Sequence, residues 1–141
     1  QLVLPEKIRQ IQKINSNQPL NKGSTIEKKP YTGLIVDARG LSFNPVLYPI
    51  IVSEQGNEIY SSVYISREYA VQKGVCQYLC SMEQAFLNKR IGYNPIVFKG
   101  LRKEGKLNSS IVISLSDAQF IEKRTERHTF LKECRVIIVV D

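Results

Sequence analysis

Gly33-Leu34-Ile35-Val36-Asp37-Ala38, closed by Arg39-Gly40, is the stretch from which the architecture of this chain is read. Apolar side chains at consecutive positions give a strand no polar face, so this one belongs at the centre of a sheet covered on both sides. Arg135 to Val140 has the same character at the far end of the chain. These two segments, near 34–38 and 135–140, are the candidate central strands, adjacent to one another. Val136 to Val140 is the longest apolar run and is strand-sized. It falls far short of the roughly 20 apolar residues of a membrane span.

Between the two strands the pattern predicts two hairpins, each followed by a helix. The first hairpin runs Val46 to Ser53, turns at Glu54-Gln55-Gly56-Asn57 and returns through Glu58 to Ile65. Pro45 and Pro49 cannot donate to a ladder, which assigns this strand to an edge or to an irregular path. The second runs Pro95 to Leu101, turns around Lys103-Glu104-Gly105-Lys106 and returns through Ser110 to Ser114. Ser66 is placed to cap a helix starting at Arg67, which Gly74 stops or kinks. Cys76, Leu79 and Cys80 suggest a further helical turn or two before a segment over 83–88. Ser116 and Gln119 have capping-box spacing, and Phe120, Ile121, Arg124, His128 and Leu131 share one helical face.

The two halves match in order. Phe43-Asn44-Pro45-Val46-Leu47-Tyr48 parallels Tyr93-Asn94-Pro95-Ile96-Val97-Phe98, and Ser61 to Ser66 parallels Ser109 to Ser114. One reading is a pair of hairpin–helix units related by a pseudo-twofold axis; the other is chance recurrence of Asn-Pro and of strand-ending serines. Either way the fold class is α+β with a mixed sheet, and 141 residues suffice for one domain with a real core.

Residues 1–29 read as a basic leader and linker, and 30–141 as the domain. In the leader, Ile8, Ile11 and Ile14 suit one face of a short helix after Pro5, and Asn15 to Lys29 has linker composition. The net charge of +7 is concentrated here: residues 1–30 hold six basic and two acidic side chains. A solvated linker accounts for that charge, with attraction to acidic lipid heads or nucleic acid as the alternative.

The residues able to do chemistry are scattered. Asp37 and Arg39, after a buried strand, are the candidate ligand-binding pair, because strands of α/β folds often carry functional groups at their C-terminal ends. General acid–base work would require a second titratable group beside Asp37, and His128 is the only histidine. No catalytic residue is assigned. Cys76, Cys80 and Cys134 lack the paired Cys/His spacing of a zinc site and read as free thiols, so neither metal nor cofactor is expected. Lys99, Arg102, Lys103 and Lys106 form the best basic patch, which a solvated hairpin tip explains better than nucleic-acid binding. The seven tyrosines fit core or protein-interface roles better than base stacking.

Thr32-Gly33-Leu34-Ile35-Val36-Asp37-Ala38-Arg39-Gly40-Leu41 resembles a signature of bacterial envelope proteins, several described as lipoproteins or flagellar-assembly-like periplasmic proteins. Pro45, Glu58-Ile59-Tyr60, Ser66 to Gly74 and Phe130 to Asp141 are similar to the same pattern. Cys76 and Cys80 depart from it, so no disulfide is carried over. The resemblance implies an exported, non-catalytic interaction or scaffold domain in the periplasm or at the outer membrane. It implies a protein partner in the envelope, a homo-oligomer among the options, and membrane attachment only through an upstream lipid anchor. The alternatives are a small-ligand-binding or hydrolase-like domain using Asp37 and Arg39, and a weak basic nucleic-acid binder.

Overall fold

A computed structural model describes residues 29–141, and the leader helix expected over 5–14 lies outside them. Two four-stranded sheets share the core. The first contains β1 (Gly33–Asp37), β4 (Gln77–Leu79), β5 (Pro95–Lys99) and β8 (Val136–Val139), all parallel, in the order β4-β8-β1-β5. The second contains β2 (Ile50–Ser53), β3 (Glu58–Tyr60), β6 (Arg102–Glu104) and β7 (Ser110–Ile113), in the order β3-β2-β7-β6. Its central pair β2–β7 is parallel and its outer pairs are antiparallel. The chain is α+β, with helices α1 (Arg67–Lys73), α2 (Met82–Leu87), α3 (Leu115–Glu122) and α4 (Arg127–Lys132).

The expected central strands are neighbours, with Leu34 beside Val136 and Val36 beside Ile138. Alternation splits their side chains between two apolar clusters. Leu34, Val36, Val136 and Ile138 join Ile51, Ile111 and Ile113 of the second sheet, together with Ala118, Ile121, Phe130 and Leu131 from α3 and α4. Ile35, Ile137 and Val139 face the other way, onto Ala85 of α2 and Ile91 of the following 3-10 turn. That second contact explains Gly33: a Cβ there would lie 2.7 Å from Ile91 Cα and from its carbonyl oxygen. Only a residue without a side chain lets the 3-10 turn approach so closely.

Several expectations require correction. β2 is an interior strand, between β3 and β7, so the edge placement fails, while the alternative of an irregular strand holds: its register shifts between Ile51 and Val52. Pro45 and Pro49 precede it, so neither has a ladder bond to lose. Pro95–Lys99 belongs to no hairpin; it pairs in parallel with β1, and the second hairpin is β6–β7. The switch occurs at Gly100, whose amide donates to Asp37 O (2.9 Å) while the Leu101 amide donates to Val112 O (2.7 Å). A Cβ on Gly100 would sit 2.9 Å from Ile111 Cγ2 and 3.0 Å from Leu41 Cδ1.

Between Cys76 and Cys80 lies a strand, Gln77–Leu79, not a helical turn: β4 pairs with β8, and the Tyr78 hydroxyl both accepts from the Val46 amide and donates to its carbonyl. Three residues cannot nucleate a helix against that tertiary pairing. The cap of α3 is Ser114, whose hydroxyl accepts from the Asp117 amide (3.0 Å), rather than Ser116. The helix expected to run from 120 through 131 is two helices. Arg127 marks the break, because its guanidinium donates to the carbonyl of Glu122, which ends α3, and to that of Arg124 just beyond it. The sequence repeat pairs unlike structures: Pro95–Lys99 is strand, whereas residues 45–48 have no strand conformation. Ser110–Ile113 is strand, and its counterpart contains the 3-10 turn Ser62–Tyr64.

Candidate functional site

Four parallel strands deliver their C-terminal ends to one edge of the first sheet, where Asp37, Lys99 and, after β4 and β8, Cys80 and Asp141 stand. Such an edge is where open α/β sheets place ligands. The side chain of Asp37 is only 14% exposed, and nearly all of its acceptor capacity is used. Oδ1 accepts from the Arg39 amide (3.1 Å) and from Arg39 Nε (2.9 Å), and Oδ2 accepts from Arg39 Nη2 (3.0 Å). Lys99 Nζ stands 3.8 Å from Oδ2. The Arg39 guanidinium, more than any other group, holds the Asp37 carboxyl below the usual carboxylate range; burial opposes it and Lys99 assists. Asp37 is thus an ionised turn organiser: it has no proton to give as a general acid near neutral pH, and as a base it is weak, with its oxygens already taken by Arg39.

Beyond Asp37 the chain turns sharply. Gly40 (φ 87°) and Ser42 (φ 55°) are left-handed. Their amides donate to the two oxygens of Asp141, at 2.8 and 3.3 Å. Two of the four basic-patch residues reach this loop: Lys99 Nζ donates to Arg39 O (2.7 Å) and Lys103 Nζ to Ser42 O (2.8 Å). The structure therefore brings Asp37, Arg39, Lys99 and Lys103 together. Arg102 turns instead to Glu104 (3.2 Å), and Lys106 lies on the exposed 3-10 turn Lys106–Asn108.

His128 lines a small pocket of about 130 Å³ with Glu58, Tyr64, Glu122 and Arg127, and the walls of that pocket do not include Asp37. The three cysteines are free thiols: Cys134 is buried, Cys80 exposed, and Cys76 intermediate, its thiol pushed up to about 11 chiefly by burial. No group of three or more His, Cys, Asp or Glu side chains suited to a metal ion occurs among the described residues.

Reading the sequence missed two features. The first is an apolar groove of about 510 Å³ between the loop before β2 and helix α1, lined by Leu47, Tyr48, Ile65, Ala70, Val71 and Val75 with Arg67 and Ser62. Large apolar side chains on it stand open: Leu47 is 81% exposed and Val71 77%. Its lining is drawn from residues 47–48 and 62–75, apart along the chain, so no local pattern announces it. The second is Asp141, whose partners lie 101 and 99 residues away along the chain.

No curated protein matches the chain at a significant level. Residues 33–141, the whole of the two-sheet unit from β1 onward, match the family model described as Treponema pallidum Tp0624, second domain. Since that match covers well over half of the sequence, the chain belongs to this bacterial family of Tp0624 second domains.

Proposed function

We propose that this domain is a non-catalytic interaction or scaffold module of an exported bacterial protein, working in the cell envelope against a protein partner. The observation that carries the reading is the apolar groove lined by Leu47, Tyr48 and Val71, all exposed, with Ile65, Ala70 and Val75. A contiguous open apolar surface of this kind marks association sites on soluble domains. The envelope setting draws its support from the resemblance of Thr32–Leu41 to exported proteins, and an upstream lipid anchor would supply the only membrane attachment. A second copy of the chain is one partner this surface could take.

The small-ligand or hydrolase-like alternative has the strand-end position of Asp37 and Arg39 in its favour. Their mutual pairing, which occupies both oxygens of Asp37 and two donors of Arg39, speaks for a structural turn instead. The nucleic-acid alternative is weakened by the dispersal of Arg102 and Lys106 away from Lys99 and Lys103.

Leu47→Glu combined with Val71→Glu tests the main reading. Both side chains are exposed, so stability should change by less than about 1 kcal/mol for the pair. Crosslinking in the source bacterium should yield an adduct with the native chain that the double variant loses. An unchanged adduct pattern, or no adduct with either chain, refutes the groove as the working surface.

A further inference from the structure

The Arg39–Ser42 turn has the geometry of an anion receptor whose present occupant is part of the same chain. Successive residues that enter the left-handed region point alternate amides to one side and form a concave cluster of donors. Here the amides of Gly40 and Ser42 converge on separate oxygens of one carboxylate, that of Asp141. Ser42 takes φ 55° without being glycine. Such a conformation is unfavourable by roughly 1–2 kcal/mol and persists where the surroundings hold it.

Lys99 and Lys103 supply that hold by gripping the carbonyls of Arg39 and Ser42, on either side of the amide pair. Their ammonium groups and the Arg39 guanidinium put three cations around the turn. Asp37 answers Arg39 and Lys99, which leaves Asp141 as the carboxylate seated on the amides. Asp141 is exposed, so swinging its side chain outward disturbs no core packing.

We propose that the Arg39–Ser42 turn is an oxyanion-binding site, gated by Asp141, that takes the carboxylate or phosphate group of a small acidic ligand when Asp141 swings out. The site shares no residue with the lining of the apolar groove and does not rest on the interaction reading. The ligand group makes the contacts that Asp141 makes now, two backbone N–H donors in a field of positive charge, and needs no metal. While Asp141 occupies the amides, a competing ligand binds only the open fraction, so its apparent affinity falls in proportion. Occupancy of about nine-tenths would weaken it about tenfold.

The test is an amide NMR titration of residues 1–141 with sodium acetate, and separately with inorganic phosphate, at fixed pH and ionic strength. In Asp141→Ala, the Gly40 and Ser42 amides should shift saturably, with half-saturation about tenfold or more below that of the native chain. Lys103→Gln added to Asp141→Ala should raise the half-saturation again. Saturation by acetate alone assigns a carboxylate ligand, by phosphate alone a phosphate ligand, and by both a general oxyanion; each supports the site. Linear, unsaturable drift with both probes overturns it, as does equal half-saturation in the native and Asp141→Ala chains. Should Asp141→Ala lose its fold, the native titration decides: saturable shifts at Gly40 and Ser42 support the site, and uniform drift refutes it.

Discussion

Arg90 ties together three segments that have no strand pairing with one another, and its removal should be felt as a loss of global stability. Its Nε donates to the Cys134 carbonyl (2.7 Å), Nη1 to that of Lys73 (2.9 Å) and Nη2 to that of Gly74 (2.6 Å). Lys73 and Gly74 end α1, where carbonyls lack helical partners, and Cys134 takes the positive φ of 60° that leads into β8. A hydrogen bond involving a charged group contributes about 1.5–3 kcal/mol. Two of the three are solvent-facing and belong at or below the bottom of that range, so Arg90→Ala should destabilise by about 2–4 kcal/mol. Arg90→Lys reaches at most one or two of the carbonyls, lacking the planar fork, and should recover less than half of the loss. Urea unfolding followed by far-UV circular dichroism, with the slope held common, measures both. A loss below about 0.5 kcal/mol for Arg90→Ala, or a lysine variant as stable as the native chain, would show that the three bonds do not act as a clamp.

Two further outcomes follow from local geometry. Gly33→Ala forces a methyl group to within 2.7 Å of Ile91 backbone atoms, and the 3-10 turn must retreat from the sheet; we expect a loss of about 2–3 kcal/mol by the same urea assay, and a neutral result would refute the close approach. Asp37 has a folded-state pKa below its unfolded value near 3.8. Its contribution is therefore present above that value and disappears as pH falls through the lowered one. Asp37→Asn should reduce stability by about 1–2 kcal/mol at pH 7 and flatten the acid limb below about pH 4. An acid limb as steep as that of the native chain would contradict the Asp37–Arg39 pairing.

What the sequence disclosed follows from where information about the fold is stored. β1 and β8 were legible because burial on both faces leaves a continuous apolar run, which no surface helix of this length produces. Their adjacency followed from like composition alone. β4 was hidden because three residues carry too little periodicity; Tyr78 is held in a strand by β8 and by Val46, neither of them local. The division between α3 and α4 was equally illegible, since Phe120 to Leu131 keeps a helical spacing across the break and Arg127 supplies the alternative partners for the carbonyls.

The candidate site divides along the same line. Asp37 and Arg39 are two residues apart, and a short-range Asp-to-amide turn is visible in any window that contains them. That Lys99 and Lys103 would serve this loop, rather than decorate a hairpin tip, depends on β5 lying beside β1. Ser42 carries no mark of its left-handed backbone, because serine is ordinary in turns of every kind.

The crossing at Gly100 constrains how the molecule can come apart. Successive amides at 100 and 101 are bonded to different sheets, so neither layer can peel away without the other losing a rung within one residue. Opening of the sheet edge that bears Asp37 would drag on the β6–β7 hairpin, and strain at the hairpin tip would be relayed toward Asp37. A bulkier residue at position 100 would wedge against both Ile111 and Leu41, loosening the two layers in a single stroke. The domain should accordingly lose its protection against amide exchange in the two sheets at one common rate, as a unit with no weaker half to shed first.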